Sequence, residues 1–120
     1  MSSKLNMNIE TSIRGNTGIV VLTGRMDADQ ATEFENACKH LTTTKGGSAK
    51  HIVAELTGLK YVSSMGIRAF LMTGQAIQKG GGEFVLVGMG GFVKQVFDMT
   101  RITPMMRLAG SVEEALKDLA

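Results

Sequence analysis

Tyr61-Val62-Ser63-Ser64-Met65-Gly66-Ile67-Arg68 joins the end of an apolar segment to the start of an amphipathic helix. A helix start leaves its first backbone N–H groups without intrahelical partners and carries a partial positive charge. A serine there can cap the helix, and either Ser63 or Ser64 is placed to do so. A phosphorylated serine at the same point would hold its charge where an anion is favoured. The stretch therefore reads as an apolar segment giving way to a helix, with two hydroxyls at the junction.

Downstream, residues 64–79 have helical spacing and stop at Gly80-Gly81-Gly82. At about 100° per residue, Met65, Ala69, Met72 and Ala76 form an apolar stripe, broadened by Thr73 and Ile77. Ser64, Arg68, Leu71 and Gln75 fall on an adjacent flank, with Arg68 one turn beyond Ser64. Its guanidinium can there reach a phosphoryl group or a carboxylate. Upstream, residues 51–56 (His-Ile-Val-Ala-Glu-Leu) are short, apolar and β-branched, as in a strand buried on both faces. Residues 57–64 then read as a loop.

Residues 6–14 and 17–23 read as two strands around a Gly15-Asn16 hairpin turn. Gly24-Arg25-Met26 leads to Asp27, an N-cap with Gln30 at the capping-box position. Ala31, Phe34, Ala37, Cys38 and Leu41 follow at helical spacing and predict a helix over 28–42, then a polar loop over 42–50. Residues 83–87 form the next buried strand. Gly88-Met89-Gly90-Gly91 opens a short helix around 92–99, Pro104 starts a brief strand over 105–108, and Ser111-Val112-Glu113-Glu114 caps a last helix ending near Leu119. Strand and helix thus alternate after a hairpin, which predicts one α/β domain over residues 1–120 with about four helices and a mixed, mainly parallel sheet. Its functional edge is expected at the carboxyl ends of the strands, where loops 24–27, 57–64 and 88–91 should gather.

Composition narrows the chemistry. Hydrophobic residues make up 43% and charged residues 20%, with a formal charge of +2, as in ordinary soluble domains. Lys and Arg are scattered, and with one Tyr and no Trp the chain is poorly supplied for stacking bases, so no nucleic-acid partner is expected. No stretch approaches the roughly 18 apolar residues of a membrane span, and the N-terminus lacks a signal-peptide core. The single cysteine, Cys38, cannot form an internal disulfide, so the reading is cytoplasmic.

The glycine loop is not a GxGxxG, since Val93 stands at the third glycine, and tight-turn geometry explains it. His40 and His51 lack further ligands at metal-like spacing, so no metal site is expected. Cys38 lies on an apolar stripe as a small core residue. Asp27 could act as an acid or base, but its position makes it a cap. Without convergent acid and base groups, the chain does not read as an enzyme. Nine methionines are a high count, and Met89, Met99, Met105 and Met106 cluster late. Most read as core filler, and some as an adaptable partner surface.

Residues 59–68 (Leu-Lys-Tyr-Val-Ser-Ser-Met-Gly-Ile-Arg) resemble the strand-end motif of the STAS domain family, specifically the bacterial anti-sigma factor antagonists. Gly24-Arg25-Met26-Asp27 is similar to the family's Gly-x-apolar-Asp before its first helix. Residues 79–88, 92–103 and 111–116 resemble later family segments, so the likeness runs from about residue 15 to residue 119. Ser63 stands where many switchable members carry Asp, and Met65 where they carry a small residue.

The resemblance implies a small mixed sheet with helices packed mainly on one side. It also implies partner switching. The unphosphorylated domain binds an anti-sigma factor that is a serine kinase, phosphorylation releases it, and a metal-dependent serine phosphatase resets it. Carried over by position, the phosphorylated residue is Ser64, with Ser63 the second choice, and Asp27 lies near it. The switch surface would comprise Asp27, Ser63, Ser64, Met65, Gly66, Arg68, Leu71 and Met89. No cofactor is expected, because ATP and Mg²⁺ would belong to the partner kinase, and the chain is expected to be a monomer. The alternatives are a non-switching STAS module of another complex, and a small nucleotide-binding protein using residues 88–91.

Overall fold

Apolar and β-branched residues build an antiparallel hairpin from β1 (Met7–Arg14) and β2 (Thr17–Met26), closed where Arg14 pairs with Thr17. Gly15 at the turn has φ +63°, the left-handed backbone that glycine adopts without strain. The computed structural model describes residues 7–43, 49–102 and 106–119. The chain continues through α1 (Ala28–Thr43), β3 (His51–Val62), α2 (Ser64–Lys79), β4 (Phe84–Val87), α3 (Gly91–Thr100), β5 (Arg107–Ala109) and α4 (Val112–Leu119). Asn6, residues 44–48, Pro104 and Met105, each assigned a place from the sequence, lie outside the described residues.

The sheet order is β1-β2-β3-β4-β5, with β1 antiparallel to β2 and every later pair parallel. Each crossover steps one strand in the same direction. Right-handed connections must then place α1, α2 and α3 on one face. Side-chain alternation agrees: Val20, Leu22, Ile52, Ala54, Leu56, Phe84 and Leu86 share the main core with Phe34, Phe70 and Phe97 of those helices. Phe34 and Phe70 rings lie 4.7 Å apart, and Phe97 meets Phe70 edge-on at 5.1 Å.

α4 instead covers the other face of the sheet. Its Ala115, Val112 and Leu119 pack on Val53, Val85 and Val87. Ser111 Oγ accepts the Glu114 N–H at 3.1 Å, the cap expected from the sequence, and Glu114 Oε1 reaches back to accept the Gly110 N–H at 3.2 Å, one residue before the cap. β4 and, apart from half-buried Glu55, residues 51–56 of β3 are buried on both faces, as read.

Three expectations need correction. Residues 57–62 are strand rather than loop, and residues 24–26 continue β2. Two register shifts, between Val21 and Thr23 and between Gly24 and Arg25, let the longer β3 keep pace with β2. Gly58 sits in this irregular stretch because a Cβ there would lie 2.5 Å from Thr23 Cγ2. The bulges absorb the glycine that read as a turn, and Leu59 and Val62 bury in the main core.

The apolar stripe of α2 is also rotated. Its buried residues are Gly66, Ile67, Ala69, Phe70, Thr73, Gly74 and Ile77, while Met65, Met72 and Ala76 are exposed. Burial of Phe70 outweighed the methionines in choosing the inward face, because an aromatic ring carries the larger apolar area. The methionines divide as read: Met7, Met26 and Met106 are buried in the main core and Met89 packs against it, while Met65, Met72 and Met99 are exposed.

Candidate functional site

The last rung of the β2–β3 ladder sets the site. Met26 pairs with Val62, and the Ser63 N–H donates to the Met26 carbonyl at 2.9 Å. Asp27 and Ser63 therefore leave neighbouring parallel strands side by side. Ser63 keeps extended backbone (φ −84°, ψ 174°), and its Oγ accepts the Gly66 N–H at 3.2 Å. Ser63 is thus the N-cap of α2, and its carbonyl accepts the first helical N–H, from Ile67, at 2.9 Å. Ser64 is the first helical residue, exposed and outside the cap.

Gly66 permits this geometry. A Cβ at that position would stand 2.5 Å from Val62 Cγ2 and 3.0 Å from Met26 Sδ. Only a residue without a side chain lets the first turn of α2 settle on the two strand ends. Asp27 is exposed, and its N–H donates to Oε1 of buried Gln30 at 3.0 Å, the capping-box bond expected at α1.

Beside Ser63 stands a stack that sequence reading missed. Arg25 pairs with Tyr61 across the bulged strands, and its guanidinium lies 4.1 Å over the Tyr61 ring. Phe92, in the first turn of α3, stacks nearly parallel to Tyr61 at 5.8 Å and 8°. A cavity of about 290 Å³ opens between this stack and the start of α2, lined by Tyr61, Ser63, Ser64, Ile67, Phe92 and Val96. The available signal was Phe92, a large apolar residue directly after a glycine loop. The Arg25–Tyr61 pair is visible only once the bulges fix the register.

The structure thus brings together Asp27, Ser63, Ser64, Met65 and Gly66. Arg68 is exposed one turn along, and Leu71 is half-buried on α2. Met89 is half-buried against the main core. The expected meeting of three loops is corrected. Met26 pairs with Val62, but β4 ends at Val87 opposite Glu55, so the glycine loop begins well short of Ser63 along β3. It reaches the site through Phe92.

Gly88 and Gly91 answer to backbone shape, whereas Gly90 is extended (φ −152°). Gly88 has φ +78° and Gly91 φ +54°, and a Cβ at Gly90 or Gly91 would meet nothing within 4 Å. Other reactive groups are engaged structurally. Burial, with Glu35 nearby, pushes the Cys38 thiol up to about 12, so it stays protonated as a core residue. His51 Nδ1 accepts the Glu83 N–H at 3.0 Å, and burial lowers its pKa. Among the described residues no group of His, Cys, Asp and Glu is placed to hold a metal, and no helix is long and apolar enough to cross a membrane.

The STAS domain model matches residues 8–115. The chain is 24% identical over 109 residues to the anti-sigma-B factor antagonist of Staphylococcus aureus (strain NCTC 8325 / PS 47), covering 91% of this chain and 98% of that protein. Its fold is similar to an anti-sigma factor antagonist from Mycobacterium paratuberculosis, with TM-score 0.81, 18% identity, and coverage of 99% of this chain and 98% of that one. It is also similar to the Bacillus cell fate determinant SpoIIAA in its phosphorylated form, with TM-score 0.73, 18% identity, and coverage of 94% and 100%. With the strand-end serine motif, the five-stranded mixed sheet and a family match over residues 8–115, the chain belongs to the STAS domain family.

Proposed function

We propose that this protein is an anti-sigma factor antagonist that works by partner switching, with Ser64 as the phosphate acceptor. In the unphosphorylated state it binds an anti-sigma factor that is also a serine kinase. Phosphorylation of Ser64 by that kinase breaks the contact, and a serine phosphatase restores it. ATP and Mg²⁺ belong to the kinase, and this chain acts as ligand and substrate.

The observation that carries the reading is the division of labour between the two serines. Ser63 caps α2, while Ser64 is exposed at its first turn. A phosphate on Ser64 leaves the cap intact. It also adds roughly −1.5 to −2 charges where the helix start favours an anion, with Arg68 one turn away. The folded domain can therefore accept the modification, and the change falls on whatever packs against this end. A dianion beside a close apolar contact costs desolvation and repels acidic groups, so release follows from local electrostatics.

The contact surface includes Asp27, Met65 and Arg68 around Ser64, extended by Tyr61, Phe92 and Val96 across the cavity. Leu71 and Met89, also expected at this surface, are half-buried. Two substitutions test the reading against the cognate kinase. Ser64→Asp is expected to lose binding and Ser64→Ala to bind persistently. Equal affinity of the two would refute the switch and leave a non-switching STAS module as the reading.

A further inference from the structure

We propose that Met65 is a second modification site, a thioether whose oxidation by a peroxide to the sulfoxide weakens the docking made beside Ser64. The proposal rests on the reading that this end of α2 docks a partner. Its starting point is where the methionines lie. Met7, Met26 and Met106 are buried in the main core, and Met89 packs against it. Met65, Met72 and Met99 are 52%, 44% and 81% exposed.

Met65 directly follows the acceptor serine, and Met72 lies seven residues on, two turns along the same face of α2. Neither fills the core, which α2 meets through Ile67, Phe70 and Ile77. An unbranched thioether in water contributes little to this fold. On a docking face it supplies adaptable apolar contact.

The chemistry is that of an accessible sulfide. A sulfur lone pair attacks one oxygen of hydrogen peroxide, an S–O bond forms and the O–O bond breaks. Sulfur loses two electrons, and the departing hydroxide takes the proton of the attacked oxygen to leave as water. The product is a polar, chiral sulfoxide that methionine sulfoxide reductases return to the thioether. Its oxygen must be desolvated when a partner closes over it, which opposes the contact without adding charge. Met26 and Met7 are shielded, so the fold survives the treatment that marks Met65.

The test uses purified protein treated with hydrogen peroxide, peptide mapping by mass spectrometry, and binding to the serine-kinase anti-sigma factor of the same organism. Met65 is expected to gain one oxygen while Met26 stays unmodified. Treated wild type should bind roughly tenfold more weakly, and reductase treatment should restore it. Met65→Leu keeps an apolar side chain without sulfur and should bind equally before and after treatment, although Met72 and Met99 still oxidise. If untreated wild type fails to bind the kinase, the docking reading falls and the proposal with it. If untreated wild type binds but treated wild type and Met65→Leu respond alike, or Met65 resists oxidation, the proposal alone is overturned.

Discussion

Replacing each of the paired serines by alanine separates cap from acceptor without any partner. Ser63 Oγ accepts the Gly66 N–H at 3.2 Å from a half-buried position, and Ser63→Ala leaves that donor without its cap. Loss of such a cap costs about 1 kcal/mol, within a range of roughly 0.5–2. Ser64 is exposed and outside the cap, so Ser64→Ala should fall within about 0.5 kcal/mol of wild type. In urea, with a slope of roughly 1–3 kcal/mol per molar, the Ser63→Ala midpoint should drop by about 0.3–1 M at unchanged slope. The Ser64→Ala midpoint should barely move. Far-UV circular dichroism followed through the urea transition reads both. A Ser64→Ala loss equal to or larger than that of Ser63→Ala would refute the assignment of the cap, and with it the argument that Ser64 is free for modification.

Gly66→Ala should destabilise by about 1–3 kcal/mol despite alanine's better helix propensity, because its Cβ would crowd Val62 and Met26, both buried. Stability at or above wild type in a thermal melt would show that the first turn is not tightly seated. Phe92→Ala, at a half-exposed ring, should lower Tm only slightly yet weaken kinase binding, and surface plasmon resonance with unchanged affinity would remove the Tyr61–Phe92 stack from the docking surface. Burial first, then the nearby Lys50 charge, holds the His51 imidazole below its usual value against the opposing effect of Glu83. The unfolded chain therefore binds the proton more readily. The associated stability is complete above about pH 6.5 and is lost as the pH falls through the folded-state value. Urea titrations from about pH 7.5 downward should show this fall in wild type and a shallower one in His51→Gln, and identical slopes would count against it.

The sequence was most legible where one local pattern sufficed. The Gly15-Asn16 turn, the Gln30 capping box, the Ser111 cap, and the doubly buried strands at Ile52 and Val85 needed no tertiary information. Legibility failed where tertiary packing overrode the local signal. Gly58 and Gly24 read as loop residues, but the bulged pairing of β2 with β3 extends the sheet through both. On α2 the methionines set the expected face, although the rings of Phe34 and Phe84 in front of Phe70 decide the actual one. At the site, Ser63, Ser64 and Asp27 were readable as helix starts. Arg25, Tyr61 and Phe92 were not, since their stacking depends on a register and a helix position that no short window contains.

The central claim is that Ser64 is the residue the partner kinase modifies. Incubation of the purified protein with the serine-kinase anti-sigma factors of its source organism and Mg-ATP, followed by phosphosite mapping by mass spectrometry, tests it most directly. The account expects stoichiometric phosphate on Ser64 and release of the kinase. Phosphate on Ser63, or a stable complex carrying no phosphate at all, would contradict it.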